Sequence, residues 1–191
     1  MEIKDYIERY LQESKKILEM IDRVKIEQVI KILRDIKNNK GRLFILGVGG
    51  SASNASHAVN DFRKIAGIES YTPVDNVAEL TAWTNDAGFE FIFINWLKTS
   101  RLNKHDAIMV LSVGGGTETT SKNLILAMDY AKEVGAKIVS IVSRDGGRAA
   151  LVSDVCIVIP PVEGKRITPH AESWQGLLLH LIVNAIVEEK I

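Results

Sequence analysis

The chain has 191 residues, 46% of them hydrophobic, which is enough to bury the core of one domain. Lysine plus arginine equal aspartate plus glutamate at 24 each, so no charge excess points to a nucleic acid or an anionic membrane. A single cysteine excludes an internal disulfide framework, the charged opening "MEIKDYIERYLQESKK" is no signal peptide, and no apolar run is long enough to span a bilayer. A soluble, cytoplasmic protein is expected.

In chain order, "YIERYLQESKKILEMIDRVKIEQVIKILRDIKNNKG" repeats apolar residues at spacings of three and four and predicts one or two amphipathic helices ending near Gly41. "RLFILGVGG" is a short apolar run closed by glycines, a buried strand, and a helical pattern runs from Ser51 to about Lys64. "YTPVDN" reads as a short strand and turn, followed by helical "VAELTAWTND" and "GFEFIFINWLKTS". The grammar then repeats: "DAIMVLSVGGGTETT" is strand, glycine turn and hydroxyl-rich helix start, continuing through "NLILAMDYAKEVG". "AKIVSIVSRDGG" and "SDVCIVIP" are further strands, the second burying Cys156, and "HAESWQGLLLHLIVNAIVEEK" is a last helix. Short apolar strands alternating with helices predict one α/β domain over 1–191, with helices over 1–40 and a parallel-sheet core over 41–191.

In an open parallel sheet, ligands sit beyond the carboxyl ends of strands. Both glycine turns, "GVGGSAS" (47–53) and "SVGGGTETT" (112–120), fall at such ends. Gly49, Gly50, Gly114 and Gly115 let the backbone approach a ligand, a following helix presents free N–H groups, and Ser51, Ser53, Ser112, Thr117 and Thr119 add hydroxyls. An anion, most simply a phosphate, is the expected ligand. Neither turn has the spacing of a dinucleotide fingerprint or a Walker loop.

His57 and Asp61 are four apart on the helix after the first turn and share a face. The spacing suits two ligands of one divalent metal, a histidine oriented by a carboxylate, or a plain surface pair. On the last helix Glu172 precedes His180 by eight residues, roughly 12 Å of rise, so sharing an ion requires both to lean together or one to come from another chain. His180 lies in an apolar stripe, where a core role competes with a ligand role. His105 reads as a loop residue without a role, and His170 after Pro169 as a cap or surface residue. Asn85 and Asp86 are candidate caps of the next helix, with Asp86 also a candidate substrate contact. Arg63 and Lys64 either solvate a helix end or neutralise an anion.

Taken together, "GVGGSASNASHAVNDFRK", "LTAWTNDAGFE", "DAIMVLSVGGGT", "GAKIVSIVSRDGG" and "LLLHLIV" resemble the sugar isomerase (SIS) family, and within it the phosphoheptose isomerases, in order over nearly the whole chain. The resemblance implies a three-layer, flavodoxin-like parallel-sheet sandwich with an N-terminal helical extension. It implies conversion of sedoheptulose 7-phosphate to a glycero-manno-heptose 7-phosphate through a cis-enediol, in a homotetramer with active sites between chains and, in some members, zinc. Carried across, the family's metal-binding histidine falls on His57, its glutamate base on Asp61, its glutamine ligand on Glu172 and its partner acid on His180. The substrate contacts fall on Gly49, Gly50, Ser51, Asn85, Asp86, Ser112, Gly114, Gly115, Thr117 and Glu172. This chain departs from the pattern in four places. Asp61 is one methylene shorter than glutamate, and Glu172 brings a charge where an amide is usual, which favours a divalent cation. Val113 and Gly114 remove two hydroxyls from the phosphate loop, and Val48 replaces an asparagine. The alternatives are isomerisation of another ketose phosphate, or a phosphosugar-binding or scaffold protein without turnover.

Overall fold

The computed structural model describes residues 2–188. Five parallel strands form one sheet in the order β2-β1-β3-β4-β5. They are β1 (Leu43–Gly47), β2 (Ser70–Tyr71), β3 (Ala107–Leu111), β4 (Lys137–Val142) and β5 (Val155–Val158). The register is set by Leu43 opposite Ala107 and Ala107 opposite Lys137. β1 and β3 are buried at every residue, as strands covered on both faces must be.

Alternation along each strand divides the core into two layers. Leu43, Ile45, Met109, Leu111 and Ile141 face the layer formed by α2 (Arg23–Asn38), α3 (Gly50–Asp61) and α8 (Ile167–Val187). Phe44, Leu46, Ile108, Val110 and Val142 face α5 (Ile92–Thr99), α6 (Lys122–Glu133) and α7 (Gly147–Val152). The three-layer, flavodoxin-order α/β sandwich is therefore as expected. α1 (Ile3–Met20) leads into α2, whose first N–H groups, those of Val24 and Lys25, are capped by the Asp22 carboxylate at 2.9 and 3.1 Å. α4 (Val77–Ala87) follows a 3-10 turn over Pro73–Asp75.

Four details differ from the sequence reading. α7 was not expected, because six residues opening on glycines give no periodicity to read. α6 begins at Lys122, after a loop in which Thr117 and Thr120 bridge each other, rather than at the glycine turn. α8 begins at Ile167 instead of His170 and ends at Val187, with Glu188 an extended cap, and the expected continuation over 189–190 lies outside the described residues. α3 gives way after Asp61 to a π-helical turn over Phe62–Ala66, closed by left-handed Gly67.

α1 is tied to the start of α8 by buried charge. Glu13 accepts from Arg166 Nε at 2.9 Å and Nη2 at 2.6 Å, and lies 2.8 Å from His170 Nε2. Tyr10 stacks on the His170 ring at 4.4 Å. His170 is thus a buried partner, correcting its expected capping or surface role: the carboxylate that explains it is 157 residues away in sequence. Cys156 is half-buried in β5 instead of fully buried, and burial still pushes its thiol up to about 11, so it stays protonated and unreactive at neutral pH.

Candidate active site

The strand order reverses direction between β1 and β3, and the loops leaving those two strands open a crevice at their carboxyl ends. A cavity of about 740 Å³ lies there. Its wall includes Ser51 after β1, Ser112, Gly114 and Thr117 after β3, and Arg144 with Asp145 after β4. Several hydroxyls named from the sequence are already engaged. Ser51 donates to the buried Gln175 Oε1 at 3.0 Å, and Ser112 Oγ accepts from the Gly115 N–H at 3.1 Å. Thr117 Oγ1 accepts from the Thr120 N–H at 3.1 Å.

The wall is held from behind. Gly115 has φ +71°, and a Cβ there would run into the Gly146 carbonyl. A Cβ on Gly147 would meet the carbonyls of Gly114 and Gly116 in turn. The closeness lets the first N–H groups of α7 reach across: Arg148 donates to Gly116 O and Ala149 to Gly115 O, both at 3.0 Å. The loop after β3 therefore serves as the cap of α7, and both are fixed together.

A second constellation stands where α3 and α8 pack side by side. The two helices run parallel: Gly50 meets Glu172, Asn54 donates to Glu172 O at 2.9 Å and to Gln175 at 3.1 Å, and Asp61 meets His180. Asp61 Oδ2 lies 3.2 Å from His57 Nε2 and 3.3 Å from His180 Nδ1, and the two imidazole rings meet edge to face at 5.1 Å. Asn60 donates to the other carboxylate oxygen at 2.9 Å. Asp61 is buried while both imidazoles are more than half exposed. One donor atom from each of His57, Asp61 and His180 lies within 4.8 Å of the others, so the three can hold a metal ion.

Glu172 is not in this group. In helices packed in parallel, eight residues of α8 carry it roughly 12 Å from His180, to the first turn of α3, where its carboxylate fills the space a Cβ on Gly50 would need. The sequence reading left open whether His180 comes from another chain; α8 of the same chain supplies it. Asn85 and Asp86 sit in the exposed last turn of α4, bonded to each other at 2.8 Å, away from the cavity wall and without capping the next helix. Arg63 is spent on β2, donating to Ser70 O at 3.1 Å and lying over the Tyr71 ring, and Lys64 is exposed. His105 is an exposed loop residue. Gln175, fully buried between α3 and β4, organises the first turn of α3 and went unnoticed, since a lone amide in a helix gives no signal.

A doubly wound sheet with a hydroxyl-lined crevice at its switch point and a His–Asp–His cluster on an adjacent helix pair defines a narrow class. The SIS domain model matches residues 9–143, and the chain belongs to that family. A phosphoheptose isomerase of Helicobacter pylori (strain P12) is 29% identical over 90% of this chain and 87% of its own length. Another from Aneurinibacillus thermoaerophilus is 29% identical over 99% and 96% of the two chains. The structure of a phosphoheptose isomerase from Neisseria gonorrhoeae superposes with a TM-score of 0.83 over 97% of this chain and 98% of that one, at 24% identity.

Proposed function

We propose that this protein is a phosphosugar aldose–ketose isomerase of the phosphoheptose type, acting on sedoheptulose 7-phosphate to give D-glycero-D-manno-heptose 7-phosphate. The observation that carries this reading is the meeting of His57 and Asp61 of α3, the helix whose first turn borders the cavity, with His180 of α8. The relatives named above support the same reaction.

The isomerisation removes a proton from the carbon beside the carbonyl, passes through a cis-enediol, and returns a proton to the neighbouring carbon. Asp61 takes the first proton: its Oδ2 is the carboxylate oxygen facing both imidazoles. His180 presents Nδ1 to Asp61 and keeps Nε2 on its outer edge, from which it delivers the second proton. In this reading His180, with Nδ1 3.3 Å from Asp61 Oδ2, works from the same side of the planar enediol as Asp61. Its exposure opens the ring to solvent, so the transferred proton exchanges with water. Glu172, at the first turn of α3, is placed to accept hydrogen bonds from sugar hydroxyls.

The two nitrogens and one carboxylate oxygen suit zinc, and three protein ligands leave a position open. Zinc held by His57, Asp61 and His180 would supply Lewis-acid polarisation of the sugar carbonyl. Incubation with sedoheptulose 7-phosphate in heavy water is expected to place deuterium beside the carbonyl, and a chelator to strip zinc from the protein, read by elemental mass spectrometry, and stop the exchange. Absence of exchange with any ketose phosphate would remove the isomerase reading.

The active sites lie between chains of a tetramer in this proposal. Ser51 and His57 are separated by roughly 9 Å along α3 and about 120° around it, so one chain turns its cavity and its cluster to different sides. Apolar side chains left in solvent support the assembly: Ile3, Ile7, Leu11 and Leu18 form a stripe on α1 at 81%, 53%, 59% and 53% exposure. Leu177 and Leu181 flank His180 on α8 in the same way. Sedimentation equilibrium is expected to give four chains, with Ile7→Glu dissociating them; a monomeric wild type would refute the shared site. Acting on phosphorylated sugars, the enzyme belongs in the cytoplasm, where phosphoryl donors are made. Among the described residues no helix is long and apolar enough to cross a membrane.

A further inference from the structure

Arg144 supplies the cation in the wall of the cavity at the switch point. Three other arginines have carboxylate partners, Arg42 with Asp106, Arg148 with Asp129, and Arg166 with Glu13 and Glu163, while Arg34 and Arg63 donate to backbone carbonyls. Among the described residues Arg144 has no such partner. Its neighbour Asp145 also faces the cavity, but Asp145 Oδ1 is turned back to accept from the Gly147 N–H at 3.2 Å. Ser51 spends its O–H on Gln175, whereas Ser112 and Thr117 only accept from backbone N–H groups and keep their own donors; to these neutral hydroxyls the guanidinium adds the positive charge of the wall and a planar set of donors.

Its backbone is unusual as well. The Gly146 N–H donates to Ser143 O at 2.9 Å, closing a turn in which Arg144 adopts φ +54°, a conformation that favours glycine. A long, charged side chain at a left-handed position carries a conformational cost, and such costs collect at binding sites. The turn aims the side chain over the loop after β3: a Cβ on Gly114 would lie 3.9 Å from Arg144 Cδ, ordinary contact with the arginine stem. Val113 beside it brings no donor of its own.

We propose that Arg144 binds the phosphate of the substrate together with the hydroxyls of the loop after β3, its planar fork taking two phosphate oxygens. This rests on the reading that the cavity receives the phosphate end of a sugar phosphate, but phosphate binding can be measured without turnover. In isothermal titration with inorganic phosphate, Arg144→Gln is expected to bind about 10- to 100-fold more weakly than wild type, with Arg144→Lys in between. With sedoheptulose 7-phosphate the loss should appear in KM more than in kcat. Arg144→Gly separates binding from folding: glycine relieves the left-handed turn, so its unfolding temperature should equal or exceed wild type while phosphate binding is lost. Wild-type phosphate affinity in Arg144→Gln, or no phosphate binding by the wild type, would overturn the assignment. If phosphate binding depends on Arg144 and no ketose phosphate is turned over, the isomerase reading fails and this one stands.

Discussion

Asp61→Asn is expected to lower kcat by about 10²- to 10⁴-fold, the range of a lost general base. The substitution is nearly isosteric, and the side chain is buried at 8% exposure, so packing against α8 should survive. What changes is chemistry. The amide cannot take a proton from carbon, and if its NH₂ turns towards the imidazoles it meets nitrogens that lie 3.2 and 3.3 Å from the present oxygen. If the proposed zinc site is present, loss of one of its three ligand atoms should also lower bound zinc, read by elemental mass spectrometry on the same sample. Steady-state rates within tenfold of wild type, with an unchanged unfolding midpoint, would remove Asp61 from the mechanism.

Glu13→Gln should be strongly destabilising, by about 3 kcal/mol, because it leaves Arg166 and His170 without their anionic partner in a buried site. The effect is pH-dependent. The Arg166 hydrogen bonds hold the Glu13 carboxyl down to about 2 from its ordinary 4.5, outweighing burial, which pushes it up; His170 adds to the lowering. A carboxyl depressed in the folded state stabilises fully above its unfolded value and loses that contribution as protons bind. The stabilisation is therefore complete above about pH 5 and fades as pH falls from 4.5 towards 2. Other groups around the pair are Glu163, 3.5 Å from Arg166, and Tyr6, whose ring lies under it. Urea unfolding at pH 7 and pH 3 should show the gap between wild type and variant narrowing in acid. Equal stability of the two at pH 7 would show that the network contributes nothing.

The middle of the sheet was legible because β1 and β3 are uninterrupted apolar runs followed by glycine turns, the pattern of strands covered on both faces. The half-site on α3 was legible for a similarly local reason: His57 and Asp61 are four apart and need no tertiary information. The other half was not. Periodicity places Glu172 and His180 on one helix, but only the parallel packing of α8 on α3 decides that His180 meets Asp61 while Glu172 meets Gly50. The same gap hid the burial of His170, whose partner comes from the opposite end of the chain. The π-helical turn after Asp61 left no trace, since "FRKIA" reads as ordinary helix.

The interlocked glycines at 115, 146 and 147 divide the pocket lining into a rigid frame and an interchangeable inlay. A side chain added at 115 or 147 runs into a backbone carbonyl of the opposite loop, and one at 146 runs into Ala150, so change there is paired or lethal to the architecture. The side chains of Val113 and Arg144 make no hydrogen bond to the backbone behind them, whereas Thr117 holds the Thr120 N–H. A combinatorial library seeking new sugar-phosphate selectivity should randomise positions 113 and 144 and keep the frame intact; ligand preference can then drift while the scaffold stays the same.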